Sequence, residues 1–88
     1  MDARDIALKD LRTLPGIGVK SSEWLYGIGL RSAIDLRGKD PKELYTRLEK
    51  HGYPTHGRIM LYVLKAAVYS VSEPNPKRHL LKWYNWKD

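Results

Sequence analysis

The chain has 88 residues and carries 16 lysines and arginines against 10 aspartates and glutamates, which gives a formal net charge of +6. A single domain of this length has a modest core, and its positive charge favours a polyanionic partner, with ordinary solubility as the alternative interpretation. The absence of cysteine excludes a disulfide framework, a thiolate metal site and a cysteine nucleophile.

The first two predicted helices flank a turn at residues 15–18. An apolar stripe predicts a helix over residues 3–12, which ends before Pro15. Apolar and small residues at three-residue spacing predict a second helix over residues 19–28, and Gly29 takes the place of its left-handed C-terminal cap.

The remaining helices follow capping signals. Ser32 can cap a short helix over residues 33–37, and DPKEL at residues 40–44 has the aspartate, proline and glutamate of a capped helix start. A nearly all-apolar segment predicts a central, buried helix over residues 56–72, and a last short helix can begin at Pro76. No strand-like alternation occurs, so we expect an all-α domain of five to six helices.

No membrane or export signal is evident. The first ten residues, MDARDIALKD, lack the basic start and apolar run of a signal peptide. The most apolar run, IMLYVL, is far too short for a bilayer span. We therefore expect a cytoplasmic protein without a membrane partner.

The turn PGIG has glycines where an anion can approach the backbone. The first amides of a helix have no intrahelical partner, and the helix dipole adds a partial positive charge there. Without a Cβ, Gly16 and Gly18 leave those amides open to a phosphate, and Lys20 can add charge. The alternative is that PGIG only turns the chain. The candidate phosphate-binding residues are Pro15, Gly16, Ile17, Gly18, Lys20 and Ser21.

A second loop, YPTHGRI, aligns with LPGIGVK but has Thr55 in place of the first glycine. The threonine hydroxyl can cap the helix that follows, so this loop can also present amides to a phosphate. A plain interhelical turn is the alternative. The candidate residues here are Thr55, His56, Gly57 and Arg58.

The string LRTLPGIGVKSS resembles the helix-hairpin-helix signature. The resemblance implies that two helices pack across the turn and that turn amides hold a phosphate of duplex DNA. It also implies a monovalent cation, K⁺ or Na⁺, at the carbonyls of Arg12, Leu14 and Ile17. The sequence departs from the signature at Ser22, where alanine is usual, and we expect this slightly larger residue to be tolerated.

Helix-hairpin-helix domains are often doubled about a pseudo-two-fold axis, in a SAM-like arrangement whose loops touch opposite strands across the minor groove. The predicted order fits that plan, as a single domain over residues 1–88. Its parts are a first hairpin (3–29), a connector (30–39), a degenerate second hairpin (40–72) and an aromatic tail (73–88). The chain resembles the small helix-hairpin-helix family of pathogenicity-locus or mitomycin-resistance-like proteins. The resemblance lies in the order of four segments: LPGIG, GLRSAIDLRGKDPKELYTRL, LYVLKAAVY and LLKWYNWKD.

Catalysis is not expected. The three histidines, with no cysteine and no HExxH pattern, do not indicate a metal site. The chain lacks the additional helical domain and the VDxHV-like segment of helix-hairpin-helix glycosylases, and Asp35 in AIDL is interpreted as a surface charge. In the tail, Trp83, Tyr84 and Trp86 either close the core, which we favour, or stack on unpaired bases.

These observations predict a monomer or weak homodimer that binds double-stranded DNA without sequence preference, in DNA repair, damage tolerance or DNA processing. The alternative is a protein-interaction or dimerisation module with the same fold. A face shared by Lys20 and the basic residues of the second half, such as Arg58 and Lys65, would favour DNA. An apolar surface there would favour a protein partner.

Overall fold

The computed structural model describes residues 2–88, and Met1 lies outside that range. Within residues 2–88 there is no strand, and the all-α class is confirmed. The α-helices are α1 (Ala3–Leu11), α2 (Val19–Gly27), α3 (Pro41–Lys50) and α4 (Ile59–Ser72). The predicted connector helix and last helix are instead short 3₁₀ segments, at Ala33–Leu36, Arg78–Leu81 and Trp83–Trp86.

Helices α1 and α2 pack against each other, and local capping fixes the start of α1 and the end of α2. The Asp2 carboxylate accepts the Asp5 amide at 2.8 Å and so caps the start of α1. At the end of α2, Gly29 has φ +104°, and its amide donates to the Tyr26 carbonyl at 3.0 Å. The Leu30 amide donates to the Leu25 carbonyl at 3.0 Å, which completes a Schellman motif.

Helices α3 and α4 form the second pair. Asp40 accepts the Lys42 amide at 2.9 Å, and Pro41 occupies the first helical position of α3. Helix α4 begins at Ile59, three residues later than predicted, because His56 (φ 49°) and Gly57 (φ 64°) are left-handed and cannot belong to an α-helix.

Helix α4 is the centre of the fold. It packs against α3, the connector and the tail, and its inner face supplies Met60, Val63, Leu64, Ala67 and Val68 to the main hydrophobic cluster. None of the described helices has the length and apolar character needed to cross a membrane.

Polar contacts hold the connector to α1 and stabilise its own turn. The Asp10 carboxylate of α1 accepts the Ala33 amide at 2.6 Å. Asp35 accepts the amides of Arg31 at 3.0 Å and Ser32 at 3.1 Å, and forms a capping box with Ser32. The Arg31 amide lowers the pKa of the Asp35 carboxyl because it hydrogen-bonds the ionised form, and the Ser32 amide acts in the same direction.

The aromatic tail packs on α4. Trp83 is half-buried against the main hydrophobic cluster. The Trp86 ring lies 5.6 Å from the Tyr69 ring, and its Nε1 donates to the Leu80 carbonyl at 2.8 Å. The tail therefore covers a surface of α4 that would otherwise expose apolar side chains to water.

Candidate functional site

The first glycine of the PGIG turn is required by the fold itself. Gly16 has φ +75°, a conformation that other residues adopt only with strain. A Cβ placed on it would lie 3.2 Å from Cγ1 of Val63 in α4. The interpretation that Gly16 merely leaves the backbone open to a ligand is therefore incomplete, because the positive φ favours glycine and a side chain would crowd Val63.

The second glycine of the turn has no such structural requirement. Gly18 has φ −103° and ψ −160°, which any residue adopts, and a Cβ placed on it would meet no heavy atom within 4 Å. Between the two glycines, Ile17 is buried, as predicted, and its amide donates to the Leu14 carbonyl at 3.2 Å. Gly18 thus stands at an open position on a turn that Ile17 fixes in place.

The start of α2 carries backbone donors that the protein leaves free. Gly18 provides no side-chain cap, and the amides of residues 18–21 donate to no acceptor among residues 2–88. Helix α4 also begins without a side-chain cap, at Arg58, whereas Asp2 and Asp40 cap α1 and α3. The two uncapped starts are those that follow the two candidate loops.

Both uncapped starts border one cleft, with a volume of about 320 Å³, that we call the tryptophan cleft. Trp24 of α2 and Trp83 of the tail line it, and the apolar side chains of Ile59, Met60 and Val63 belong to its α4 side. The candidate residues that the structure brings together here are Gly16, Lys20 and Ser21 from the first loop with Thr55 and His56 from the second. The candidates outside its lining are Pro15, Ile17, Gly18, Gly57 and Arg58.

The second loop does not repeat the backbone of the first. Its left-handed residues are His56 and Gly57, whereas the aligned equivalent of Gly16 is Thr55. The prediction that Thr55 caps α4 is wrong, since its buried side chain donates to the Tyr45 hydroxyl at 3.5 Å and Arg58 occupies the cap position. The Tyr45 hydroxyl in turn donates to the Gly57 carbonyl at 2.7 Å and ties the loop to α3.

The basic residues near the two loops differ in their partners. Arg58 and Lys65 both pair with the Asp88 carboxylate, Lys65 at 3.8 Å. These are the only ion pairs among residues 2–88, so Lys20 keeps its charge available. The positive charge of Arg58 and Lys65, on the α4 side, is therefore partly neutralised.

Ser22 has a role that the sequence did not reveal. It is completely buried, its Oγ donates to the Val19 carbonyl at 2.8 Å, and it accepts Nε of Arg12 at 3.1 Å. The hydroxyl therefore fastens the end of α1 to the first turn of α2. An alanine at this position could not make either contact.

Two of the three turn carbonyls proposed as cation ligands have no backbone donor. The Leu14 carbonyl accepts the Ile17 amide, while the carbonyls of Arg12 and Ile17 accept no backbone amide in the described turn. Across residues 2–88 no group of three histidine, aspartate or glutamate side chains is placed to hold a metal ion.

A separate apolar groove, of about 640 Å³, lies between α1, the connector and the end of α4. Ile6 and Ile34, which line it, are 57% and 58% exposed. None of the tryptophan-cleft residues lines this groove. The tryptophan cleft and the apolar groove are therefore separate features of the surface.

The fold and the cleft define a small, basic, all-α domain in which two uncapped helix starts share one aromatic-lined cleft. Residues 4–88 match the family described as Pathogenicity locus, and the chain belongs to that family. No curated protein and no solved structure matches the chain. The match spans both loops, the connector and the tail.

Proposed function

We propose that this protein is a helix-hairpin-helix module that binds double-stranded DNA through backbone phosphates, without sequence preference and without catalysis. The context we propose is DNA repair, damage tolerance or DNA processing. A monovalent cation at the carbonyls of Arg12, Leu14 and Ile17 would bridge the turn to the phosphate, and the module would act as a monomer or weak homodimer.

The free amides at the start of α2 are the observation that carries the proposal. Four consecutive amides, at residues 18–21, have no acceptor among the described residues, and the open side of Gly18 lets an oxygen come close to them. A phosphate supplies acceptors and negative charge, so it satisfies the donors and interacts favourably with the helix dipole. Lys20 can pair with the same phosphate.

Contacts of this kind read the DNA backbone and carry no base information. Binding should accordingly be weak, with a Kd on the order of 10⁻⁴ to 10⁻⁶ M at physiological salt. The uncapped start of α4 provides a second, weaker contact, because Asp88 neutralises part of the Arg58 charge.

The test is a single substitution, Gly18→Val, which places methyl groups over the free amides. Because the position is extended and open, the free energy of unfolding should change by less than about 1 kcal/mol. Loss of even one charge-assisted hydrogen bond should weaken duplex binding by about tenfold or more. Fluorescence anisotropy with a labelled duplex at two salt concentrations measures the effect, and urea unfolding confirms the fold.

Ala3→Val is the matched control for the DNA titration, since it adds methyl groups at an exposed position that lines the apolar groove and not the tryptophan cleft. It should bind duplex as the unmodified protein does. A folded Gly18→Val variant with full affinity would contradict the proposal that the PGIG turn is the DNA site.

A protein-interaction function is the second candidate, and the apolar groove with Ile6 and Ile34 favours it. Burial of these side chains against a partner would remove apolar surface from water and so stabilise the complex. Under this alternative the duplex titration shows no binding at low salt, and the protein self-associates or binds a protein partner through the groove.

A further inference from the structure

We propose that the tryptophan cleft receives one unpaired nucleobase, so that the protein prefers DNA with a single-stranded end or gap over an intact duplex. This inference rests on the proposed function and specifies its substrate. It concerns the cleft between α2, the second loop and the tail, and not the turn amides themselves.

The walls of the cleft suit a flat aromatic ligand. Trp24 and Trp83 both line it and are only half-buried, so part of each indole remains accessible. Aromatic side chains bind unpaired bases by stacking, which tolerates any sequence because every base has a π-face. A volume of about 320 Å³ falls within the range of small-ligand clefts.

The aromatic walls are held in place by neighbouring rings and by the backbone. Tyr53 stacks on Trp24 with ring centroids 6.0 Å apart and an interplanar angle of 24°. Cδ1 of Trp83 lies 3.9 Å from the position of a Cβ on Gly16, so the tail tryptophan sits directly against the PGIG turn. A base would therefore meet preorganised surfaces, which reduces the entropy lost on binding.

The polar rim of the cleft points to a nucleotide rather than to an apolar side chain. Lys20, Ser21 and His56 line it together with the tryptophans, and Lys20 and Ser21 are two of the four residues whose amides are free. Gly16, Lys20 and Ser21 belong both to the cleft and to the candidate phosphate site. A phosphate at the start of α2 would thus hold its own or the adjacent base at the cleft.

An intact duplex cannot use this feature, because its bases are stacked on each other and paired at their edges. An unpaired base at an end or a gap is already free of that stack, so it enters the cleft without the cost of unpairing. The cleft then discriminates DNA structure, while the turn supplies affinity for any backbone.

The experiment compares two labelled duplexes that carry single-stranded overhangs of equal length, one with bases and one abasic. Both have the same number of phosphates, so electrostatic binding is matched and only the base differs. We expect the base-containing overhang to bind about tenfold more tightly. Trp24→Leu should abolish the difference, and Trp24→Tyr, which keeps an aromatic ring, should retain most of it.

Tyr26→Leu is the matched aromatic control, because Tyr26 lies outside the cleft lining and its ring faces the Arg31 guanidinium instead. Its preference should equal that of the unmodified protein. Tryptophan fluorescence of the unmodified protein gives a second measurement: quenching should follow addition of the base-containing overhang and not of the abasic one.

The outcomes separate the two proposals. Equal affinity for the two overhangs, or an undiminished preference in Trp24→Leu, would overturn the base-binding inference, whereas the effect of Gly18→Val on blunt duplex would still support the proposed function. If the protein bound none of these DNAs, both the proposed function and the base-binding inference would be overturned.

Discussion

The two loops of this protein start from similar sequences and reach different structures. Residues 15–18 place one left-handed glycine, Gly16, against α4 and leave Gly18 open. Residues 53–58 place two left-handed residues just before α4 and bury Thr55 instead. In the first loop, the lack of a side chain on Gly16 lets the backbone lie close to α4. In the second loop, the Thr55 side chain itself packs against α3.

This difference explains why the two positions are not interchangeable. In the first loop, a Cβ on Gly16 would make a tight 3.2 Å contact with Cγ1 of Val63. In the second loop, the Thr55 side chain packs beside Tyr45 of α3. Alignment of two short loops therefore does not establish equal backbone geometry. It does identify two helix starts that remain uncapped.

The largest effect expected from breaking the first loop is that of Gly16→Ala. The added methyl group forces an L-residue into φ +75° and lies against Val63, so the variant should lose about 1 to 3 kcal/mol of unfolding free energy. Urea denaturation measures the loss. Gly18→Ala is the control within the same turn and should lie within about 1 kcal/mol of the unmodified protein. Equal losses in the two variants would contradict the distinction between the glycines.

Tyr45→Phe tests the fastening of the second loop. The change removes the hydroxyl that donates to the Gly57 carbonyl at 2.7 Å, and we expect a loss of about 0.5 to 1.5 kcal/mol of unfolding free energy. Urea denaturation measures the loss. Duplex affinity should change little, because the first loop carries most of the proposed contact; a large loss of affinity would instead make the second loop the principal site.

The smallest effect expected comes from single charges. Lys20→Ala removes a cation that makes no ion pair in the described chain, so the slope of log K against log salt should fall by about 1. Arg58→Ala should change the slope less, because Asp88 already neutralises part of the Arg58 charge. Duplex titrations at four salt concentrations measure both slopes. If Arg58→Ala changed the slope more than Lys20→Ala did, the second loop would make the larger contribution to DNA binding.

The helix ends were predicted most accurately where a cap is local. Asp40 and Pro41 fix the start of α3, and Gly29 with Leu30 forms the end of α2, because each signal acts within one turn of the chain. The start of α4 was predicted three residues too early, since apolar periodicity does not report the left-handed conformation of His56.

The candidate site was predicted only in part. The turn residues around Gly18 follow from sequence, because free amides at a helix start depend on local backbone geometry. Trp83 could not be placed at that turn, since it lies more than 60 residues away along the chain and joins Gly16 only through the packing of the tail. The role of Ser22 was missed for the same reason: its partner Arg12, the C-terminal cap residue of α1, lies 10 residues earlier in the chain.

The sequence by itself determined an all-α, positively charged domain with an uncapped helix after PGIG, because periodicity, capping residues and charge are properties of short segments. The tertiary structure decided that Gly16 packs against α4 and that Arg58 pairs with Asp88. It also decided that the two loops and the distant Trp83 border one cleft. Those features depend on contacts between segments far apart in the chain, and such contacts form only when the core is packed.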